Sequence, residues 1–315
     1  MFSKVARARR APLALPFAGA AYLLLEGPAL AYCEATTCGA ASGTQCPRDA
    51  MGCVTSGEHL SWSTGCVSFA VDEHGSPKRN ITYDVFDRIV RTSLQQWLAV
   101  DCGGGRHPSI ALWDAADFAG PLLCDEPEYN QTGPNANGWI LRDGDWPYHD
   151  PGSEFGHTTI TFDPSSGRIL DADVEINSFG LALTTSDDDI VDDLQSITTH
   201  EAGHFLGLAD SSDPDATMSA TYSPASRKAR SLDADDKAAI CALYPPNRDV
   251  PACTDPSPSH GYSSDCAGAA HPSGCSVTRA SRDTGSSAAA VGFLGAAALL
   301  RKRRRAAFHA RARGR

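Results

Sequence analysis

The stretch that most restricts what this chain can fold into is His200-Glu201-Ala202-Gly203-His204-Phe205-Leu206-Gly207-Leu208-Ala209-Asp210, which reads H-E-x-x-H-x-x-G-x-x-D. Side chains at i and i+4 of a helix stand one above the other, so His200 and His204 project from one face. Two neutral imidazoles at that spacing can grip one Zn²⁺, each at about 2.0–2.1 Å. Glu201 sits beside them, where a carboxylate reaches a metal-bound water. Gly207 can end the helix, because glycine enters the left-handed conformation at little cost. The chain then turns back and Asp210 can bring a carboxylate oxygen to the same ion. Three protein ligands leave a fourth position for water, the arrangement of a catalytic rather than a structural zinc.

A methionine follows in Ala216-Thr217-Met218-Ser219-Ala220. Together these residues resemble the metzincin zinc endopeptidases, whose signature is H-E-x-x-H-x-x-G-x-x-H followed by a Met-turn, and within them the matrixins. The resemblance implies that His200, His204 and Asp210 are zinc ligands, that Glu201 is the general base, and that Met218 forms an apolar floor beneath the metal. One departure is plain: most metzincins place His where this chain has Asp210, and Asp there is similar to the small secreted snapalysin-type enzymes. A carboxylate oxygen is a sound zinc ligand. Its charge makes the ion a weaker Lewis acid. Asp213 and Asp215 stand close by as rival third ligands.

The ends differ from the body. Lys4, Arg7, Arg9 and Arg10, the apolar run from Ala11 to Leu25, and Ala29-Leu30-Ala31 read as a secretory signal peptide over 1–31, with the mature chain starting at Tyr32. Eleven cysteines fit an oxidising compartment. Five of them, Cys33, Cys38, Cys46, Cys53 and Cys66, crowd a stretch with little apolar periodicity, so residues 32–60 read as a disulfide-stapled extension; C-x₂-C pairs for a zinc ribbon are absent. Cys102–Cys124 and Cys253–Cys266 are expected as local bridges, and the odd count leaves Cys275 over. From Tyr32 to Cys275 there are 36 acidic against 13 basic side chains. That balance excludes nucleic acid as a partner, since phosphate contacts need Lys and Arg.

A catalytic domain is expected over 61–246. Cys66–Val71 alternates and reads as a strand. Tyr83–Val100 carries Val85, Phe86, Ile89, Val90, Leu94, Trp97 and Leu98 at helical spacing, with Asp84 near its start. Further strands are expected at Ser109–Trp113, Trp139–Arg142, Thr158–Phe162 and Ile169–Ile176, then the metal-bearing helix from Ile190 to Leu208 and a last helix opened by Ser231-Leu232-Asp233-Ala234-Asp235-Asp236. The fold class is α+β. The resemblance, which covers roughly Ser61 to Tyr244, implies a twisted, mostly parallel sheet of about five strands with three helices.

Other constellations stay open. Asp171, Asp173 and Glu175 share one face of a strand and would repel unless solvated or paired with a cation; Ca²⁺ with oxygen ligands is one resolution, and a solvated edge is the other. Asp187-Asp188-Asp189 is expected to cap the active-site helix. His149 and His157 are candidates for a second zinc like that of matrixins, but the family's H-x-D spacing is missing. Tyr222 lies four residues after Met218, too far to match the metal-reaching tyrosine of astacin-like relatives, and is expected to be wall or core.

Residues 247–287 are rich in Pro, Ser and Gly, a linker composition. The apolar run 288–300 is shorter than the roughly 20 residues a spanning helix needs, and Arg301-Lys302-Arg303-Arg304-Arg305 follows. With Gly274-Cys275 upstream, this resembles the myxobacterial C-terminal sorting tail, which implies processing near Cys275 and display at the cell surface. The expectation is an exported, monomeric zinc endopeptidase acting on peptide or protein substrates and touching membrane only through this tail. The rival is a catalytically weak surface binding or adhesion module on the same scaffold.

Overall fold

The computed structural model describes residues 31–38, 45–148, 151–152, 154–250 and 252–266 in full, and 307–314 as backbone. Residues 1–30 of the expected signal peptide, Cys275 and the apolar run 288–300 lie outside the described residues.

A twisted sheet forms the frame. Strands β2 (Cys66–Val71), β3 (Ala111–Asp114), β4 (Gly138–Leu141), β5 (Glu154–Phe162) and β6 (Ile169–Ile176) lie in the order β3-β2-β4-β6-β5. The β2–β3, β2–β4 and β4–β6 pairs are parallel; β5 alone runs antiparallel to β6, with Thr158 opposite Val174. This is the metzincin-like α+β architecture expected, five mostly parallel strands with three helices. Helix α1 (Tyr83–Leu98) starts at Thr82, whose hydroxyl accepts the Val85 N–H. It buries Phe86, Ile89, Val90, Leu94 and Trp97. Its Trp97 indole donates to the Thr199 carbonyl at 2.9 Å, which ties α1 to the next helix.

Between β6 and that helix, short strands β7 (Leu183–Thr184) and β8 (Asp192–Asp193) pair in parallel. They keep the chain extended through Asp193, so α2 spans Leu194–Phe205, shorter than the Ile190–Leu208 expected. Asp187-Asp188-Asp189 does not cap it. Asp187 pairs with Arg227 and Arg230 instead, and the residue at the helix start is Asp193, whose carboxylate is buried against Arg230 at 2.5 Å. Nearly every side chain of α2 is buried, from Leu194 to Phe205, so it is a core helix rather than an amphipathic surface one. Gly207, at φ +102°, then reverses the chain; a Cβ there would overlap the Leu60 carbonyl.

Strand β9 (Leu208–Ala209) pairs antiparallel with β1 (Cys33–Glu34). After it come β10 (Thr221–Tyr222) and α3 (Ala234–Leu243), which opens on an Asp233–Asp236 capping box. The backbone of 307–314, β11, lies antiparallel along the outer edge of β5 and then parallel to β10.

Five disulfides staple the described residues: Cys33–Cys53, Cys38–Cys46, Cys66–Cys253, Cys102–Cys241 and Cys124–Cys266. The expected Cys102–Cys124 and Cys253–Cys266 pairs are corrected. Cys102 follows α1 and reaches Cys241 of α3, while Cys66, the first residue of β2, and Cys124, in the loop before β4, hold Cys253 and Cys266 of the segment 252–266. The start of the Pro/Ser-rich stretch is therefore pinned to the domain.

Candidate active site

Helix α2 places His200 and His204 one turn apart, and the Gly207 reversal brings Asp210 back over them. Each imidazole uses Nδ1 on a main-chain carbonyl: His200 on Thr217 at 2.7 Å and His204 on Leu208 at 2.9 Å. A carbonyl only accepts, so both Nδ1 atoms carry a proton, which in the neutral imidazole leaves each Nε2 lone pair free for a metal. Those lone pairs point at each other across 3.0 Å, and Asp210 Oδ1 lies 3.5 Å from each. Asp210 Oδ1 is buried without a hydrogen-bond partner. Three acceptors converging on one point repel unless a cation sits among them. A tetrahedral ion with bonds of about 2.0–2.1 Å separates its ligand atoms by about 3.3 Å, close to this triangle. His200, His204 and Asp210 therefore fit a zinc ion.

The electrostatics agree. Burial alone would lower the His200 imidazole, yet contact with Asp210 and the charges of Glu201 and Asp210 push it up to about 9. Burial would raise Asp210, but the two imidazoles hold it well below the usual carboxylate range. The cluster calls for positive charge at its centre. Of the rivals, Asp213 accepts the Asp215 N–H at 2.8 Å and Asp215 pairs with Lys228, so neither turns to the histidines.

Glu201 is fully buried, and Thr158 of β5 donates to its Oε2 at 2.7 Å, leaving Oε1 without a hydrogen-bond partner. Gly156 makes room for it: a Cβ there would overlap the Glu201 carboxylate. Met218 lies buried below α2, where Gly203 admits its sulfur, since a Cβ at 203 would collide with Sδ. The turn carrying Met218 hangs on Asp236 of α3, whose carboxylate accepts the N–H groups of Thr217 at 2.7 Å and Met218 at 3.0 Å. Beside His200 and Glu201 opens a pocket lined by Phe155, Ile197, Ala216 and Tyr222. Tyr222 is wall: its ring packs 4.4 Å from Phe155, and its hydroxyl accepts the Asp193 N–H at 2.7 Å.

The acidic face of β6 is arranged differently. Asp173 accepts the N–H of Gly138 at 2.7 Å and of Glu128 at 2.8 Å. Asp171, fully buried beside it, is pushed well above the usual carboxylate range by burial and by the Asp173 charge. Glu175 takes a hydrogen bond from Tyr148 and lies 3.4 Å from Arg142 Nε. Among the described residues these three do not form a ligand cluster. His157 stacks on Tyr148 and approaches Glu154; His149 lies outside the described residues.

Thr158, Gly156 and Asp236 escaped the sequence reading. The first two come from strand pairing and carry no local signal. Asp236 had one, since Asp233 followed three residues later by a carboxylate marks a capping box.

Comparison with known proteins agrees with this geometry. Residues 140–245 match the Matrixin family model. The chain is 35% identical over 104 residues to Metalloendoproteinase 4-MMP of Arabidopsis thaliana, covering 31% of this chain and 29% of that protein. It is 39% identical over 100 residues to Metalloendoproteinase 1 of Glycine max, covering 31% of each. Metalloendoproteinase 1-MMP of Arabidopsis thaliana is 42% identical over 101 residues, 29% of this chain and 25% of that protein. The chain thus spans under a third of the length of these curated relatives. The matched region, which holds β5, β6, α2 and the Met218 turn, is matrixin-like.

Proposed function

We propose that the chain is an exported zinc-dependent endopeptidase. One observation carries the reading: three lone-pair atoms of His200, His204 and Asp210 converge, with the uncommitted Oε1 of Glu201 beside them at an open pocket. A zinc ion held there supplies Lewis acidity and a water of lowered pKa. Glu201 takes the proton of the attacking water on Oε1, while Thr158 fixes Oε2. It then passes that proton to the amine nitrogen as the peptide C–N bond breaks. The wall of Phe155, Ile197, Ala216 and Tyr222 receives an apolar side chain. The peptide backbone lies along the outer edge of β5 by strand addition. What supports that placement is the register of 307–314, already antiparallel to β5 and beside Thr221–Tyr222.

The same tail follows the segment we read as a sorting signal. Processing near Cys275 would display the domain at the cell surface and free this edge. Mass spectrometry of surface protein checks it: intact Arg315 in most molecules overturns the processing. The test of the function itself is hydrolysis of a mixed peptide set by the exported chain, with and without a zinc chelator. Cleavage that the chelator abolishes and zinc restores is expected. A zinc-loaded chain that binds peptides without cleaving them would establish the binding-module rival.

A further inference from the structure

The outer edge of the sheet is already taken, and the strand that takes it is the end of the chain itself. Strand β11 lies between β5 and β10, antiparallel to the first and parallel to the second. Its register is unbroken from Ala307 opposite Thr161 to Arg311 opposite His157. There it shifts: the next paired residue is Arg313, opposite Glu154, so Ala312 stands alone against Phe155 and Gly156 of β5. That part of β5 adjoins the proposed base, since a Cβ on Gly156 would overlap the Glu201 carboxylate. Beyond it, Arg313 and Gly314 lie opposite Thr221 and Tyr222, which line the pocket. The backbone of β11 thus runs the whole edge on which a peptide would be held.

Main-chain pairing makes this contact exclusive. An edge strand offers one row of N–H and C=O groups, and that row pairs with one strand at a time. A peptide bound by strand addition needs the same row of β5. Two properties favour the chain's own end as the occupant. It is tethered, so it acts at an effective concentration of up to about millimolar without paying the translational cost of association. Its charge is opposite to that of the body: eight of the last fifteen residues are Lys or Arg, whereas 36 acidic side chains stand against 13 basic from Tyr32 to Cys275.

We infer that residues 307–314 are an intramolecular occupant of the substrate edge, holding the site latent until the tail is removed or displaced. Latency rests on the peptidase reading; occupation of the edge does not. The tail competes with peptides for β5 and leaves His200, His204, Asp210 and Glu201 in place. Any cut between residue 266 and β11 would release it, so processing near Cys275 would couple surface display to activity.

The experiment uses the oxidised chain from Tyr32 to Arg315 and its Ala310→Pro/Arg311→Pro variant. Successive residues of an antiparallel strand turn their N–H groups to opposite sides, so one of the two prolines removes a donor to β5. Both substitutions fall in the last six residues, outside the domain of 61–246. Amide exchange along β5 is read first, on the zinc-free proteins. It should be on the order of tenfold faster in the variant, and equal exchange overturns the occupation. Peptide hydrolysis by the zinc-loaded proteins is read second. The variant should show a KM about tenfold lower at unchanged kcat, because an occupant present about nine-tenths of the time weakens apparent affinity by that factor. An unchanged KM overturns latency. Faster exchange in a variant that cleaves nothing would keep the occupation and end both latency and the peptidase reading. Intact mass is the last arm: loss of the final residues from the zinc-loaded parent, but not from Glu201→Gln, would make the tail a substrate and overturn latency.

Discussion

Two buried clusters of acidic and polar side chains sit within this domain, and among the described residues only one of the two brings three possible ligand atoms within 4.8 Å of one another. On α2 and its return loop, two histidines have spent Nδ1 on main-chain carbonyls and Asp210 Oδ1 is buried without a hydrogen-bond partner, so three ligand atoms face one point. On β6, Asp171, Asp173 and Glu175 are more numerous as carboxylates: Asp173 accepts two main-chain N–H groups, Glu175 is met by Tyr148 and lies near Arg142, and Asp171 Oδ1 and Glu175 Oε1 are buried without a hydrogen-bond partner. The number of carboxylates does not mark an ion site. Unsatisfied acceptors occur in both clusters, and their convergence on one point is what separates the first from the second.

The largest effect that would break the comparison is at Glu201. Glu201→Gln keeps the Thr158 contact and the volume but removes the base. Peptide hydrolysis should fall about 10²–10⁴-fold while zinc content stays at parent level. Parent-like turnover by this variant would end the peptidase assignment and leave a site that only binds.

Next is the third ligand. Asp210→Ala leaves two imidazoles, and zinc affinity should drop about 10–100-fold by chelator competition. Asp210→His should recover most of it, because imidazole nitrogen is an equally good donor. Full zinc in Asp210→Ala would move the third ligand elsewhere and make Asp213 the next candidate, against the hydrogen bonds that now hold it at Asp215.

How much of this was legible follows from distance along the chain. His200, Glu201 and His204 share one helical turn, and Gly207 announces the reversal that returns Asp210, so the proposed metal site is nearly a local property of the sequence. The five-strand sheet was legible from alternation in β2, β5 and β6. The start of α2 was not, because β7–β8 pairing holds residues 192–193 extended and overrides the helical pattern from Ile190. Nor were the disulfides: the bridges of Cys66, Cys102 and Cys124 span 187, 139 and 142 residues, and spacing carries no signal at that range. Thr158 and Gly156 reach Glu201 only because β5 passes over α2. The β6 acids were legible as a shared face, but the partners of Asp173 were not, since they come from the loops at Glu128 and Gly138.

The smallest effect tests that acidic face directly. Burial, opposed by the Gly138 and Glu128 N–H groups, raises Asp173 to about 7, and burial with the Asp173 charge holds Asp171 well above the usual carboxylate range. A carboxyl whose folded pKa exceeds its unfolded value of about 3.9 binds more protons when folded. Its contribution to stability is complete below pH of about 4 and is lost as pH rises toward the folded pKa. Between pH 4 and about 7, then, β6 should make the metal-free domain progressively less stable. Asp171→Asn keeps a donor toward Asp173 and removes a group that must give up its proton, so the variant should lose stability less steeply across that window. Urea unfolding of parent and variant at several pH values measures the difference, expected at about 1 kcal/mol by pH 7. Calcium supplies the opposing outcome. If the face were an ion site, added calcium would raise the parent's melting temperature and not that of Asp171→Asn, whereas a proton-sharing pair leaves both unmoved. A calcium-dependent rise confined to the parent would erase the contrast between the two clusters.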